Sequence, residues 1–128
     1  MHRLTRQTTS HQEMIDITDE VAQAVRGWTC AAVLIFVPHT TAGIMVNANA
    51  DEDVPNDILL ALEQIVPEEG PYRHSTGNSP SHVRAALVGA SQLVPLEDGH
   101  VALGTWQSIY LAEFDGPRER TVLIAPIS

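Results

Sequence analysis

Seven consecutive apolar residues, 31–37, are cut off by Pro38 and followed at once by His39, Thr40 and Thr41. The run has the length of a buried strand and is far too short to cross a membrane. Proline lacks the N–H that a sheet ladder needs, so the strand must end there. The fold therefore delivers an imidazole and two hydroxyls at the end of a rigid element, a good place to present polar groups. A plainer reading is also open, in which these three residues form a turn whose side chains bond its own backbone.

The rest of the pattern is compatible with such a sheet. A first strand is expected within residues 8–17. A helix follows over 16–28, with Thr18 as its cap and Val21, Ala24, Val25 and Trp28 recurring at helical spacing. Residues 41–46 suit another strand. A second helix is expected over 54–66, capped by Asp53, with Pro55 in its first turn and an apolar stripe of Ile58, Leu59, Leu62, Ile65 and Val66. Residues 67–80 read as one long ordered loop, a length often tied to function in small domains. Ser79 and Pro80 then read as cap and first position of a short third helix. Strands are expected at 92–95, 101–103, 107–114 and 120–126, with a hairpin at Glu97, Asp98 and Gly99. This order indicates one α+β domain over residues 1–128, built on a mainly antiparallel sheet with two main helices and a short third.

Composition removes several functions. Seven arginines, no lysine and sixteen acidic residues give a formal charge of −9. No basic run follows a phosphate backbone, so nucleic acid and anionic membranes are not expected partners. Without lysine there is no Schiff base and no P-loop lysine. Cys30 is the only cysteine, which rules out an internal disulfide or CxxC site, and its apolar neighbours make it a small buried hydrophobe. No signal peptide is visible, so a cytoplasmic location is the expectation. The short, apolar, weakly charged chain also favours a homo-oligomer, with Trp28 and Trp106 as possible interface anchors.

The candidate chemistry rests on His39, His74 and His82, which come from separate elements. Three neutral imidazoles can converge on a divalent ion such as zinc with an open fourth position, although their spacing matches no zinc-finger pattern. His82 also reads as a first-turn surface histidine, and His2, His11 and His100 as ordinary surface histidines. The acidic group Asp51, Glu52, Asp53 and Asp57 is either helix capping or a magnesium or general-base site. Arg73 can clamp an anion or pair with Glu68 or Glu69. Gln107 and Glu113 are six apart and share a sheet face with Ile109 and Leu111, so each is solvent-facing or paired in a site. The central look of their strand favours pairing for Glu113.

The segments His39–Thr40–Thr41–Ala42–Gly43, Pro71–Tyr72–Arg73–His74, Asn78–Ser79–Pro80–Ser81–His82, Gly104–Thr105–Trp106–Gln107 and Glu113–Phe114–Asp115–Gly116–Pro117–Arg118 together resemble the YjbQ family, whose members are often called secondary thiamine-phosphate synthases. The likeness runs in order from about residue 8 to 126. It implies a sandwich-like α+β trimer with a polar pocket near subunit contacts. It also implies a reaction that joins an aminopyrimidine diphosphate to a thiazole phosphate and releases pyrophosphate. By this resemblance His39, Glu113, Gln107 and Thr41 are the catalytic candidates, and Asn78 and Arg73 are the candidate cofactor-binding residues. His39, His74 and His82 are the candidate ligands of a zinc or magnesium ion. Many members carry a further histidine where this chain has Pro80, so a four-histidine metal site is not available here. The leaving pyrophosphate calls for magnesium and arginine, which the carboxylates and Arg73 or Arg118 can provide.

Overall fold

In chain order the computed structural model builds β1 (His2–Gln7), β2 (Glu13–Asp16), α1 (Thr18–Ala24), β3 (Ala32–Phe36), β4 (Ala42–Ala48) and α2 (Asp53–Ile65). These are followed by α3 (Ser79–Val88), β5 (Ser91–Glu97), β6 (His100–Val101), β7 (Gln107–Glu113) and β8 (Glu119–Ile127). It describes residues 1–74 and 77–128; Ser75 and Thr76, in the long loop, lie outside the described residues.

The strands form two antiparallel sheets, ordered β1-β8-β3-β5-β6 and β2-β7-β4. Period-2 alternation decides what lies between them. Val33 and Ile35 of β3, Val94 of β5, and Val122 and Ile124 of β8 meet Ile15 of β2, Ile44 of β4, and Ile109 and Leu111 of β7. Val21 of α1 and Val25 just beyond its end join this core. The opposite face of the smaller sheet is covered by α2 and α3, where Leu59, Leu62, Ala85 and Val88 pack around Ala112 and Phe114. The β5–β6 turn follows the sequence expectation: Asp98 and Gly99 both adopt positive φ, 51° and 78°, as the tight hairpin turns of twisted sheets require.

Local capping departs from the sequence reading. Ile17, Glu52 and Asn78 occupy the three N-cap positions, none with a side-chain cap bond. Thr18 is instead drawn outward: its hydroxyl donates to Asp16 Oδ1 at 2.6 Å and accepts from the Ile109 N–H at 2.8 Å. Asp51, not Asp53, serves the start of α2, its Oδ1 accepting from the Asp53 N–H at 2.9 Å. The acidic group there reads as helix-start chemistry. The strand expected within residues 8–17 is β2, and a further strand, β1, precedes it because β8 offers a free edge on which polar residues can pair. The shortest helix is α1 rather than the third. Trp106 is 66% exposed on the surface of the chain.

Candidate functional site

Three inward-facing stripes end in polar residues at the same end of the two sheets. Val33, Ile35 and Val37 lead at the same spacing to His39; Ile109 and Leu111 lead to Glu113; Ile124 and Val122 lead back to Arg120. Where the apolar core stops, these side chains meet each other instead of water.

Glu113 and Arg120 are the centre of the arrangement, 0% and 3% exposed. Arg120 Nε donates to Glu113 Oε1 at 2.9 Å and Nη2 to Oε2 at 2.5 Å, a two-pronged pair. Nη2 also donates to the Thr41 hydroxyl at 2.8 Å and the Thr41 carbonyl at 3.2 Å. Thr8 closes the other side, its hydroxyl donating to Glu113 Oε1 at 2.7 Å and accepting from the Arg118 N–H at 2.9 Å. Burial alone pushes the Glu113 carboxyl up, but the bonds from Arg120, Thr8 and the Asp115 N–H outweigh it and hold the group below the usual carboxylate range.

His39 is oriented by the backbone of β8. Its Nε2 accepts from the Thr121 N–H at 2.9 Å. An N–H can only donate, so Nε2 is bare and the neutral ring carries its proton on Nδ1. Burial first, and then the Arg120 charge, lower the His39 pKa, with Glu113 opposing. The ring is therefore neutral near pH 7 and offers a donor, not a lone pair, on its other nitrogen.

An open cavity of about 340 Å³ lies above this network, lined by Pro38, His39, Thr40, Thr41, Asn78, His82, Asp115, Arg118 and Arg120. Asp115 forms one wall and accepts from Asn78 Nδ2 at 3.0 Å and Arg118 Nη2 at 2.9 Å. Burial raises the Asp115 carboxyl, and the bonds from Asn78 and Arg118 bring it below its ordinary value. α3 positions His82, and Ser81 ties that helix to β7 by donating to the Phe114 carbonyl at 2.6 Å. The His74 ring stands edge-on to His82, 5.4 Å between centroids.

The structure thus gathers His39, Thr41, Asn78 and His82 around one cavity, with Glu113 bonded beneath it and His74 beside His82. Two expected residues fall elsewhere within the chain. Gln107 stands at the opposite end of β7 from Glu113, roughly 20 Å away at strand rise, where its Oε1 accepts from the Gly104 N–H at 2.8 Å. Arg73 is exposed and is not part of the cavity wall. The alternative partner suggested for it, Glu68, is bonded instead by buried Arg84 at 2.8 Å, which also donates to the Val66 carbonyl and so secures the base of the long loop.

Sequence reasoning missed Arg120, Asp115 and Thr8 as site residues. Arg120 had a readable signal, since it shares a face with Val122 and Ile124, where an arginine needs a buried partner. His11 is exposed, as expected of a surface histidine, with its ring nitrogens 3.9 Å from carboxylate oxygens of Asp115 and Glu68. A three-histidine metal triad does not fit this arrangement, because the His39 lone pair is already committed to Thr121. Among the described residues no three His, Cys, Asp or Glu side chains gather closely enough to hold a metal ion, and no helix is long and apolar enough to cross a membrane.

A family model described as UPF0047 protein YjbQ-like matches residues 2–128. The chain is 51% identical over 120 residues to the UPF0047 protein YugU of Bacillus subtilis, covering 91% of each. It is 44% identical over 115 residues to a UPF0047 protein of Methanocaldococcus jannaschii, covering 88% of this chain and 83% of that one. Among solved structures it is similar to an uncharacterized conserved protein of the YjbQ/UPF0047 family from Clostridium acetobutylicum, with a TM-score of 0.95, 45% identity, and 99% and 100% of the two chains covered. A conserved hypothetical protein from Thermus thermophilus gives a TM-score of 0.93 at 39% identity, with the same coverage.

Proposed function

This chain belongs to the YjbQ-like UPF0047 family, and from that premise we propose that it is a small-molecule enzyme whose cavity takes a phosphorylated substrate. The observation that carries the reading is the convergence of His39, Thr41, Asn78, Arg118 and Arg120 on one cavity. Preorganised donors of this kind stabilise negative charge that develops on a departing phosphate or pyrophosphate without reorganising during the reaction. The named candidate is thiamine-phosphate synthesis, the joining of hydroxymethylpyrimidine diphosphate to thiazole phosphate with release of pyrophosphate. In it, Arg118 and the Nδ1–H of His39 would face the leaving group, while Glu113 holds Arg120 in place. The assay is product formation from the two phosphorylated halves with magnesium. Turnover is the expected result; tight ligand binding without turnover would identify a non-catalytic metabolite-binding protein instead.

A metal-binding site is the second reading, favoured by the His74–His82 pair. Two imidazoles on one tetrahedral zinc place their ring centres roughly 5 Å apart, close to the 5.4 Å found here. A zinc ion held there would supply Lewis-acid stabilisation of phosphoryl oxygens, whereas magnesium, which takes oxygen ligands, does not suit two imidazoles. Metal binding weakens as imidazoles protonate, whereas anion binding does not. Zinc and phosphate calorimetry of the apoprotein above and below pH ~6.5 separates the two.

The proposed assembly is a homotrimer. Supporting association, the outer face of the larger sheet carries Phe36, Leu93 and Ile127, respectively 38%, 62% and 38% exposed, in adjacent strands. An apolar patch on a sheet face is a common site of self-association.

A further inference from the structure

We propose that the phosphoryl group of the substrate is anchored by a pair of donors, Arg120 Nη1–H and His39 Nδ1–H, rather than by Arg73 or a metal. This rests on the phosphorylated-substrate reading above and adds to it the atoms that hold the ligand.

Arg120 is 3% exposed, and its accounting leaves one nitrogen over. Nε and Nη2 are spent on Glu113 and Thr41. Nη1 takes no partner among the described residues, yet it is not sealed away from solvent. Arg120 lines the cavity, and we infer that Nη1, its one unspent nitrogen, is the atom that faces it. A buried guanidinium with an unspent N–H aimed into a polar cavity is a donor waiting for an acceptor.

His39 is in the same position for a different reason. Thr121 takes Nε2, which leaves Nδ1 with the proton and with no partner among the described residues. The ring lines the same cavity. Both nitrogens can only donate in this arrangement, so the matching ligand atoms are acceptors.

The unspent donors, not a surplus of positive charge, favour an anionic acceptor. Glu113 offsets Arg120 and Asp115 offsets Arg118, but both carboxylates already accept from two or more donors. Both Glu113 oxygens and Asp115 Oδ2 are occupied, whereas the arginine and imidazole N–H groups facing the cavity are not, so the anchoring falls to those donors, away from Asp115 Oδ1. Phosphoryl oxygens fit such a donor face and can accept from both groups at once.

The test is calorimetry with inorganic phosphate and with pyrophosphate on the intact protein. Arg120→Gln is combined with Glu113→Gln, so that neither charge is left buried alone. This double variant is expected to weaken phosphate binding about tenfold or more, the effect of losing one charge-assisted bond. Arg26→Ala, remote from the cavity, serves as the control. A second measurement needs no variant: the His39 Nδ1 resonance should move on phosphate addition while Nε2 stays unprotonated. Phosphate binding lost in Arg73→Ala but kept in the double variant would overturn the anchor, as would an unmoved Nδ1 or no binding at millimolar phosphate. Thiamine-phosphate formation that ignores the Arg120 variant would overturn the anchor and leave the enzyme reading standing. Phosphate held by Arg120 and His39 without turnover would do the reverse.

Discussion

Glu113 at the end of β7 and Arg120 near the start of β8 join the two sheets through a buried two-pronged ion pair, with Nε to Oε1 at 2.9 Å. The pair stands where the core between the sheets gives way to the cavity. It both closes the core and sets the position of the arginine.

Breaking that pair from one side strands a buried charge. Glu113→Ala is expected to cost about 3–5 kcal/mol, read from urea denaturation. Glu113→Leu combined with Arg120→Met should recover much of the loss, because the neutral pair needs no buried partner. Equal destabilisation in the single and double variants would refute the ion pair's role.

Titration of His39 makes stability depend on pH. Its folded pKa lies below the unfolded value of about 6.5 because of burial and the Arg120 charge. The unfolded chain therefore binds more protons as pH falls. The stability held by a neutral His39 is fully present above pH ~6.5 and lost as the pH drops through the folded pKa. Denaturation of wild type and His39→Gln across that range should show the wild-type dependence reduced in the variant.

Gly116 leaves room for the site. A Cβ there would lie 2.3 Å from the Ser10 carbonyl oxygen and 2.8 Å from the Thr8 hydroxyl. Gly116→Ala must therefore displace the backbone beside Thr8, at a cost of about 1–3 kcal/mol. Thermal denaturation should show the loss. A shift in the His39 ring resonances would show that the disturbance reaches the cavity.

Gln107→Ala separates resemblance from position. Loss of its bond to the Gly104 N–H should cost about 0.5–1.5 kcal/mol. The distance along β7 leaves phosphate affinity within a chain unchanged. A large drop in affinity would mean that Gln107 reaches a site by a route outside its own chain.

Self-association is tested directly by sedimentation equilibrium. The expected mass is roughly three times the 13.9 kDa chain, in line with an apolar outer face that needs cover. Leu93→Glu should weaken the assembly. A monomer at micromolar concentration would remove the trimer from the proposal.

The strand at 32–36, its stop at Pro38 and the delivery of His39 are legible in the residues themselves, because an apolar run and a proline act through local sterics and burial. So are the positive-φ hairpin at Asp98–Gly99 and the shared face of Ile109, Leu111 and Glu113, since strand periodicity is a property of the backbone alone. The five motifs of the resemblance carried the family identity. Which end of β7 borders the cavity was decided only by the packing of the two sheets. Gln107 and Glu113 share one face, but only the neighbouring strands put Arg120 and Thr41 beside the second of them. Packing also makes His39 show the cavity a donor, because the bond that assigns its proton comes from Thr121, 82 positions along the chain. Such pairings depend on how the sheets close, and no local pattern of residues encodes that closure.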